Sequence, residues 1–231
     1  MRPFVFAVLL SIVASPVPAL ADGTLTAEQI EAKTTAAVGA ANVSTEVETY
    51  STIIDGKYAT VTTLMKRPDR YLERINIPQD NVTNSIGFIG SSVWVQDPDG
   101  TVHSADFGSS NLGLSVVSTL YSPEMWNGFT KEPSRAYKST SCYDLRMELQ
   151  SGIPVDLLVS KATFIPVAAQ VTLGGHTISV EYRDIDRSPG GELFPRHIDI
   201  IAPDGTTLFV YTITSLDANV PLDDSEFEPP A

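Results

Sequence analysis

Cysteine is almost absent from this sequence, since Cys142 is the single one among 231 residues. One cysteine cannot form an intramolecular disulfide, and it excludes the paired-cysteine motifs of zinc fingers and redox proteins. Because Cys142 lies in a stretch that alternates between apolar and polar residues, we expect a buried, inert thiol. The stability of the fold must therefore come from packing.

Histidine is also scarce, which limits the supply of general bases for catalysis to three side chains. No Gly-x-Ser-x-Gly elbow surrounds a serine, and no glycine-rich phosphate loop ends in a lysine. His197 and Asp199 would project from the same side of a strand, but no third ligand or nucleophile accompanies them, so we interpret them as a surface pair. We expect no enzyme, no cofactor and no metal site.

Positive charge is in short supply as well. Lys and Arg together number 15 against 28 Asp and Glu, which gives a net charge of −13. Such a chain repels phosphate backbones and anionic membrane surfaces, so nucleic-acid binding is not expected. Acidic charge also keeps an exported protein dispersed.

Long apolar runs are missing except near the start of the chain. Phe4–Val13 follows the basic Arg2 and precedes two prolines and the small-residue pattern Ala19-Leu20-Ala21. This layout is typical of a secretory signal peptide over residues 1–21, cleaved before Asp22. A run of about ten residues is half of what a membrane-spanning helix needs.

The location and the domain organisation follow from this leader. No cysteine follows the cleavage pattern, so lipid attachment there is not expected, and we expect no membrane-spanning segment after cleavage. Residues 22–231 lack a linker, a repeat or a low-complexity stretch. We predict a single domain over 22–231, located in the periplasm or secreted.

The periodicity of the mature chain changes after one helix. Leu25–Val38 is predicted to be helical, because Thr26 and Gln29 form a capping box and Gly39 ends it. Alternating, β-branched segments then predict an antiparallel meander of about ten strands. These predicted strands are Val43–Ile54, Tyr58–Met65, Tyr71–Ile77, Ser92–Gln96, Thr101–Ser104, Tyr143–Leu149, Val155–Lys161, Val167–Leu173, Thr177–Arg183, His197–Ala202 and Leu208–Ser215.

Two further segments do not read as strands. Between Asn111 and Phe129 the pattern favours a helix and a loop. The acidic, proline-rich end from Asn219 is expected to lie over the surface. A sheet of about ten strands must also curl, because open sheets of that width rarely stay flat.

Several segments, in order along the chain, resemble the lipoprotein-carrier-like superfamily, which includes the periplasmic lipoprotein chaperone and its outer-membrane receptor. One of them departs from the family pattern, because Ile89 or Gly90 replaces the acidic residue of its Asp-Gly-x-x-x-Trp hairpin. The resembling segments are Lys66–Arg70, Gly90–Pro98, Tyr182–Asp184, Leu193–Ile198 and Asn219–Phe227.

The resemblance implies an α+β fold, in which a curved antiparallel half-barrel has its concave apolar face covered by helices. In the family's carrier this cavity accepts acyl chains. The candidates for its lining are Leu64, Tyr71, Phe88, Trp94, Trp126 and Phe129. For each of these residues taken alone, plain core packing is favoured over ligand contact, and spacing alone does not tell which face is concave.

Two functions stay open on the sequence. One is a periplasmic carrier or binding protein that holds an acyl chain or a lipoprotein segment in an apolar cavity. The other is a non-enzymatic structural or protein-interaction module, whose core is filled by its own side chains.

Overall fold

A computed structural model describes residues 25–40, 43–67, 69–90, 92–105, 128–148, 154–173 and 175–230. The predicted signal peptide and Trp126 lie outside these residues. The described part contains one α-helix, α1 (Ala27–Val38), and a 3-10 helix (Asp224–Phe227). Its strands are β1 (Thr45–Ile54), β2 (Lys57–Lys66), β3 (Arg70–Ile77), β4 (Val82–Ile89), β5 (Ser92–Gln96), β6 (Val102–Ala105), β7 (Thr130–Tyr137), β8 (Thr140–Glu148), β9 (Pro154–Ser160), β10 (Pro166–Leu173), β11 (His176–Arg187), β12 (Leu193–Ile201) and β13 (Thr207–Ala218).

The ends of α1 confirm the local reading of the sequence. The Thr26 side chain accepts the Gln29 N–H at 3.3 Å, and the Gln29 side chain accepts the Thr26 N–H at 2.9 Å. Gly39 adopts a left-handed conformation with φ of 83°, which a glycine adopts at little cost. The helix therefore begins two residues later than predicted and ends where predicted.

All thirteen strands belong to one antiparallel sheet, in the order β6-β5-β4-β3-β2-β1-β13-β12-β11-β10-β9-β8-β7. Two meanders, β1 to β6 and β7 to β13, join where β1 pairs with β13. The predicted antiparallel sheet is confirmed. Within the described ranges the sheet is not closed into a barrel, and α1 is the only α-helix, so the predicted cover of several helices is not confirmed there.

Two strands were missed by the sequence analysis. Strand β4 carries Asn84, Ser85 and Gly87, residue types that are depleted in strands or neutral there. Strand β7 contains Pro133 beside an interruption of its register with β8, and it has a neighbour on one side only. A proline is tolerated at such a position because its missing N–H is not needed for pairing.

The two faces of the sheet carry separate cores. The inner face, defined as the one against which α1 packs, carries a large apolar cluster that includes Ile30 and Val38 of the helix. The outer face, on the other side, carries two smaller clusters. One of them holds Cys142, which is fully buried as predicted, and burial raises the pKa of its thiol. Because both faces are covered, alternation along a strand does not separate core from solvent.

Candidate functional site

The candidate cavity residues do not share one face of the sheet. Tyr71, Phe88 and Phe129 are buried in the inner-face cluster. Leu64 and Trp94 are buried on the outer face. The remaining candidate, Trp126, lies outside the described residues.

The outer-face candidates contact the C-terminal segment, residues 219–230. The Trp94 indole N–H donates to the Phe227 carbonyl at 2.9 Å, and Phe227 is fully buried. Lys66 donates to the Leu222 carbonyl at 2.7 Å and pairs with Asp224 at 2.7 Å. The segment does run over a face of the sheet, but its acidic composition did not indicate a buried aromatic anchor. The chain itself therefore covers Leu64 and Trp94.

The inner face carries an aromatic strip formed by Tyr50, Tyr71, Phe88, Phe209 and Tyr211. Tyr71 and Phe88 stack with ring centroids 5.2 Å apart and planes 8° apart. Tyr50 meets Tyr211 edge to face at 5.2 Å, and Phe209 stacks on Tyr211 at 6.4 Å. Phe209 and Tyr211 are only half-buried, so one end of the strip offers apolar surface to a ligand.

A buried carboxylate lies within this strip. Oε2 of Glu73 accepts the hydroxyl of Tyr50 at 2.9 Å and that of Tyr71 at 3.0 Å. Thr63 in turn donates to the Tyr50 hydroxyl at 3.3 Å. The two tyrosines satisfy part of the hydrogen-bonding capacity of Glu73, which offsets part of the cost of its burial.

The charge of Glu73 shifts the tyrosines around it. Burial first, and the negative charge of Glu73 second, raise the pKa of Tyr50 and of Tyr71 well above the ordinary value. The same two causes raise the pKa of Tyr211 to about 12. All three tyrosines therefore stay neutral, and Tyr50 and Tyr71 remain hydrogen-bond donors to the carboxylate.

The sequence analysis missed this polar cluster, which also has Glu46 and Glu48 buried nearby on β1. In an ordinary half-buried strand the acids that flank Val47 would face water. Here Val47 is the residue packed on the outer face, against the cluster under the C-terminal segment. The sequence did contain a sign of the cluster, because two acids at alternate positions precede Tyr50 on the same face of β1. These acids could be recognised as buried only once both faces of the sheet were known to be covered.

His197 and Asp199, which were considered together for a metal or a base, each pair with a different residue. His197 Nδ1 lies 2.8 Å from Asp184, while Asp199 forms an ion pair with Arg183 at 2.7 Å. Asp184 reaches His197 from a left-handed backbone conformation in β11, where it has no partner in the pairing with β12. Among the described residues, no group of three or more His, Cys, Asp or Glu side chains could hold a metal ion.

A small cavity lies at the rim of the inner face, beside Glu46, Met65 and Phe88. Its volume is about 20 Å³, which suits about one water molecule. This cavity is too small for an acyl chain. A ligand at this cavity must therefore displace part of what covers it, whereas the half-buried end of the aromatic strip offers apolar surface directly.

No protein-family model matches the sequence, and a search of curated proteins finds no match. Solved structures do match over most of the chain. A LolA superfamily protein from Nitrosomonas europaea is 16% identical with a TM-score of 0.64, covering 88% of this chain and 98% of that one. A DUF1329 family protein from Desulfovibrio piger is 14% identical with a TM-score of 0.61, covering 87% and 96%.

A third match is an outer membrane lipoprotein-sorting protein domain from Vibrio parahaemolyticus. It is 11% identical with a TM-score of 0.60, covering 86% of this chain and 94% of that one. At such identities the likeness shows the fold. It supports the fold that the resemblance found in the sequence implies. In the ranges that the structure describes, no helix is long and apolar enough to cross a membrane.

Proposed function

Because the chain has the fold of the LolA superfamily, we propose that it is a non-enzymatic periplasmic carrier or binding protein. Its ligand is an acyl chain or an acylated lipoprotein segment, held on the inner face of the sheet. Three of the residues first considered for this role, Tyr71, Phe88 and Phe129, belong to that face. In this proposal Leu64 and Trp94, on the outer face, stabilise the sheet and do not contact the ligand.

The aromatic strip is the observation that carries this proposal. Tyr50 joins the two ends of the strip, because its ring contacts Tyr211 and its hydroxyl shares Glu73 with Tyr71. Phe209 and Tyr211 are half-buried, and so are Ile75 and Ile86 of the same core. Burying a methylene group gains about 0.8 kcal/mol, so about ten methylenes supply roughly 8 kcal/mol before the costs of binding. An apolar chain can therefore bind here without a dedicated polar contact.

A second function is favoured by the small size of the rim cavity. If the inner face is filled by its own side chains, the domain is a structural or protein-interaction module. The cavity beside Glu46 has room for about one water and supports this alternative. The two functions differ in whether the inner face opens to an apolar ligand.

Native mass spectrometry of the protein purified from its own periplasm separates the two functions. A co-purifying lipid mass supports the carrier, and a clean apo mass supports the module. Displacement of the neutral fluorescent probe N-phenyl-1-naphthylamine by dodecanol then tests binding in vitro.

A matched pair of variants locates the site, because neighbouring residues of β13 face opposite sides. Phe209 is half-buried on the inner face, while Leu208 is exposed on the outer face. Phe209→Ser is expected to weaken dodecanol binding about tenfold, through lost apolar contact. Leu208→Ser should leave it unchanged. Equal effects of the two substitutions would place the ligand elsewhere.

A further inference from the structure

Three lysines meet two aromatic rings at the edge of the inner face. Lys33 lies 5.1 Å from the centroid of the Phe164 ring. Lys161 and Lys131 lie 5.5 Å and 5.8 Å from the centroid of the Tyr143 ring. Phe164 and Tyr143 stack at 5.7 Å, so all five side chains form one lysine–aromatic cluster.

The cluster is assembled from separate parts of the chain. Lys33 comes from α1 and Lys161 from the turn after β9, while Lys131 comes from β7 and donates to the Leu25 carbonyl, before the helix, at 3.1 Å. Three of the chain's six lysines thus converge on one point of a protein whose net charge is −13.

The backbone at the centre of the cluster is strained. Phe164 has a φ of 58°, in the left-handed region that a bulky side chain rarely adopts. Its N–H donates to the Ser160 carbonyl at 2.8 Å, which fixes the turn between β9 and β10. The conformation holds the Phe164 ring between Lys33 and Tyr143. Such conformations cost on the order of 1–3 kcal/mol and cluster at functional sites.

The cluster is continuous with the apolar core of the inner face. Tyr143 is itself part of that core, and Phe164 packs against it. Next to Tyr143 on the same face, Leu145 and Val159 extend the apolar surface into the sheet. Leu145 and Val159 are fully buried, so an amphiphile brings its head group to the lysines when its chain displaces part of what covers the inner face.

We propose that the lysine–aromatic cluster binds the anionic head group, a carboxylate or a phosphate, of an amphiphilic ligand. This inference rests on the proposed carrier function and adds the charge of the ligand to it. Ammonium groups supply N–H donors to the head-group oxygens, and the aromatic rings keep these groups at one point. In the competing interpretation, the lysine stems merely cover two rings and no head group is recognised.

The experiment compares ligands that share one chain and differ in head group. Dodecanoate, dodecyl phosphate and neutral dodecanol each displace N-phenyl-1-naphthylamine from the full mature chain, at concentrations below micelle formation. The variant is Lys33→Gln combined with Lys161→Gln. The control is Lys57→Gln at the start of β2. It removes a lysine that pairs with Asp80 and does not belong to the cluster. Circular dichroism verifies that every variant is folded.

We expect the double variant to bind dodecanoate and dodecyl phosphate about fivefold more weakly, with dodecanol and the control unchanged. Equal loss for dodecanol and dodecanoate, or no loss for either, overturns the head-group site while leaving the carrier function standing. Displacement by inorganic phosphate alone, at the affinity of dodecyl phosphate, would identify a site for the free ion and also overturn the proposal. If none of the three ligands displaces the probe from the wild type, the carrier function fails first.

Discussion

One added methyl group at Gly87 tests how the C-terminal segment is held. Gly87 pairs with Trp94 on the neighbouring strand, and the indole lies directly over it. A Cβ built at this position would lie 2.6 Å from two ring carbons of Trp94 and 2.8 Å from its ring nitrogen. Gly87→Ala must therefore push the indole away from the sheet. That movement breaks the hydrogen bond from Trp94 to Phe227.

The magnitude follows from three contributions. Overpacking a well-filled site costs about 1–3 kcal/mol, and leaving a buried indole N–H without a partner costs about 1–3 kcal/mol. Alanine gains back about 0.5–1 kcal/mol over glycine in a strand. We expect Gly87→Ala to lower the free energy of unfolding by about 3 kcal/mol, within limits of about 1 and 5 kcal/mol.

Urea denaturation in a Trp126→Phe background measures this change, with Trp94 as the single fluorophore. The emission of Trp94 should shift to the red as its ring loses cover. Trp94→Phe, followed by circular dichroism because no tryptophan then remains, supplies the control: a smaller ring leaves room for the methyl group, and there Gly87→Ala should cost less than about 1 kcal/mol. The same cost in both backgrounds would refute the steric argument.

The other predictions concern separate parts of the chain. The pKa of Tyr211 is raised from its ordinary 10 to about 12 in the folded protein, so the folded state holds the proton more tightly than the unfolded state does. The free energy of unfolding should therefore fall between pH 10 and 12. In urea denaturation at pH 9 and 11, this fall should be smaller for Tyr211→Phe than for the wild type. Thr26→Ala removes the capping box of α1 and should cost about 1 kcal/mol in the same assay, whereas an unchanged midpoint would mean that the cap contributes nothing. Arg135→Met removes the ion-pair partner of the buried Asp144, 2.5 Å away, and should lower the free energy of unfolding by about 1–3 kcal/mol. Lys138 is exposed, so Lys138→Met should lower it by less than about 1 kcal/mol. Intact mass of the exported protein should correspond to a chain that starts at Asp22, and retention of Met1 would contradict the leader.

Local features were predictable because neighbours in sequence create them. The capping box of Thr26 and Gln29 needs only four residues, and the tight turn at Asp55-Gly56, which joins β1 to β2, is of a type that this residue pair favours. The missed strands contain residues that disfavour strands, Asn84 and Gly87 in β4 and Pro133 in β7, and both form because they pair with neighbouring strands. Propensity is a weak guide wherever the surrounding sheet overrides it.

The candidate site was predictable only in part. The six candidates were predicted to line one cavity, and three of them lie on the described inner face and two on the outer one. The buried Glu73 went unnoticed because its hydrogen-bond partners, Tyr50 and Tyr71, include a residue 23 positions away. The lysine–aromatic cluster has the same property, since it joins α1 to the turn after β9.

The capped helix, most of the strands and the antiparallel class of the sheet were predictable because each depends on short-range patterns. The join between the two meanders was not, since the pairing of Glu46 with Ala218 is not encoded locally. Only the tertiary structure decided what covers each face. When α1 covers one side and the C-terminal segment the other, every position of a central strand can be buried, and the period of two along the chain no longer shows which side is the core.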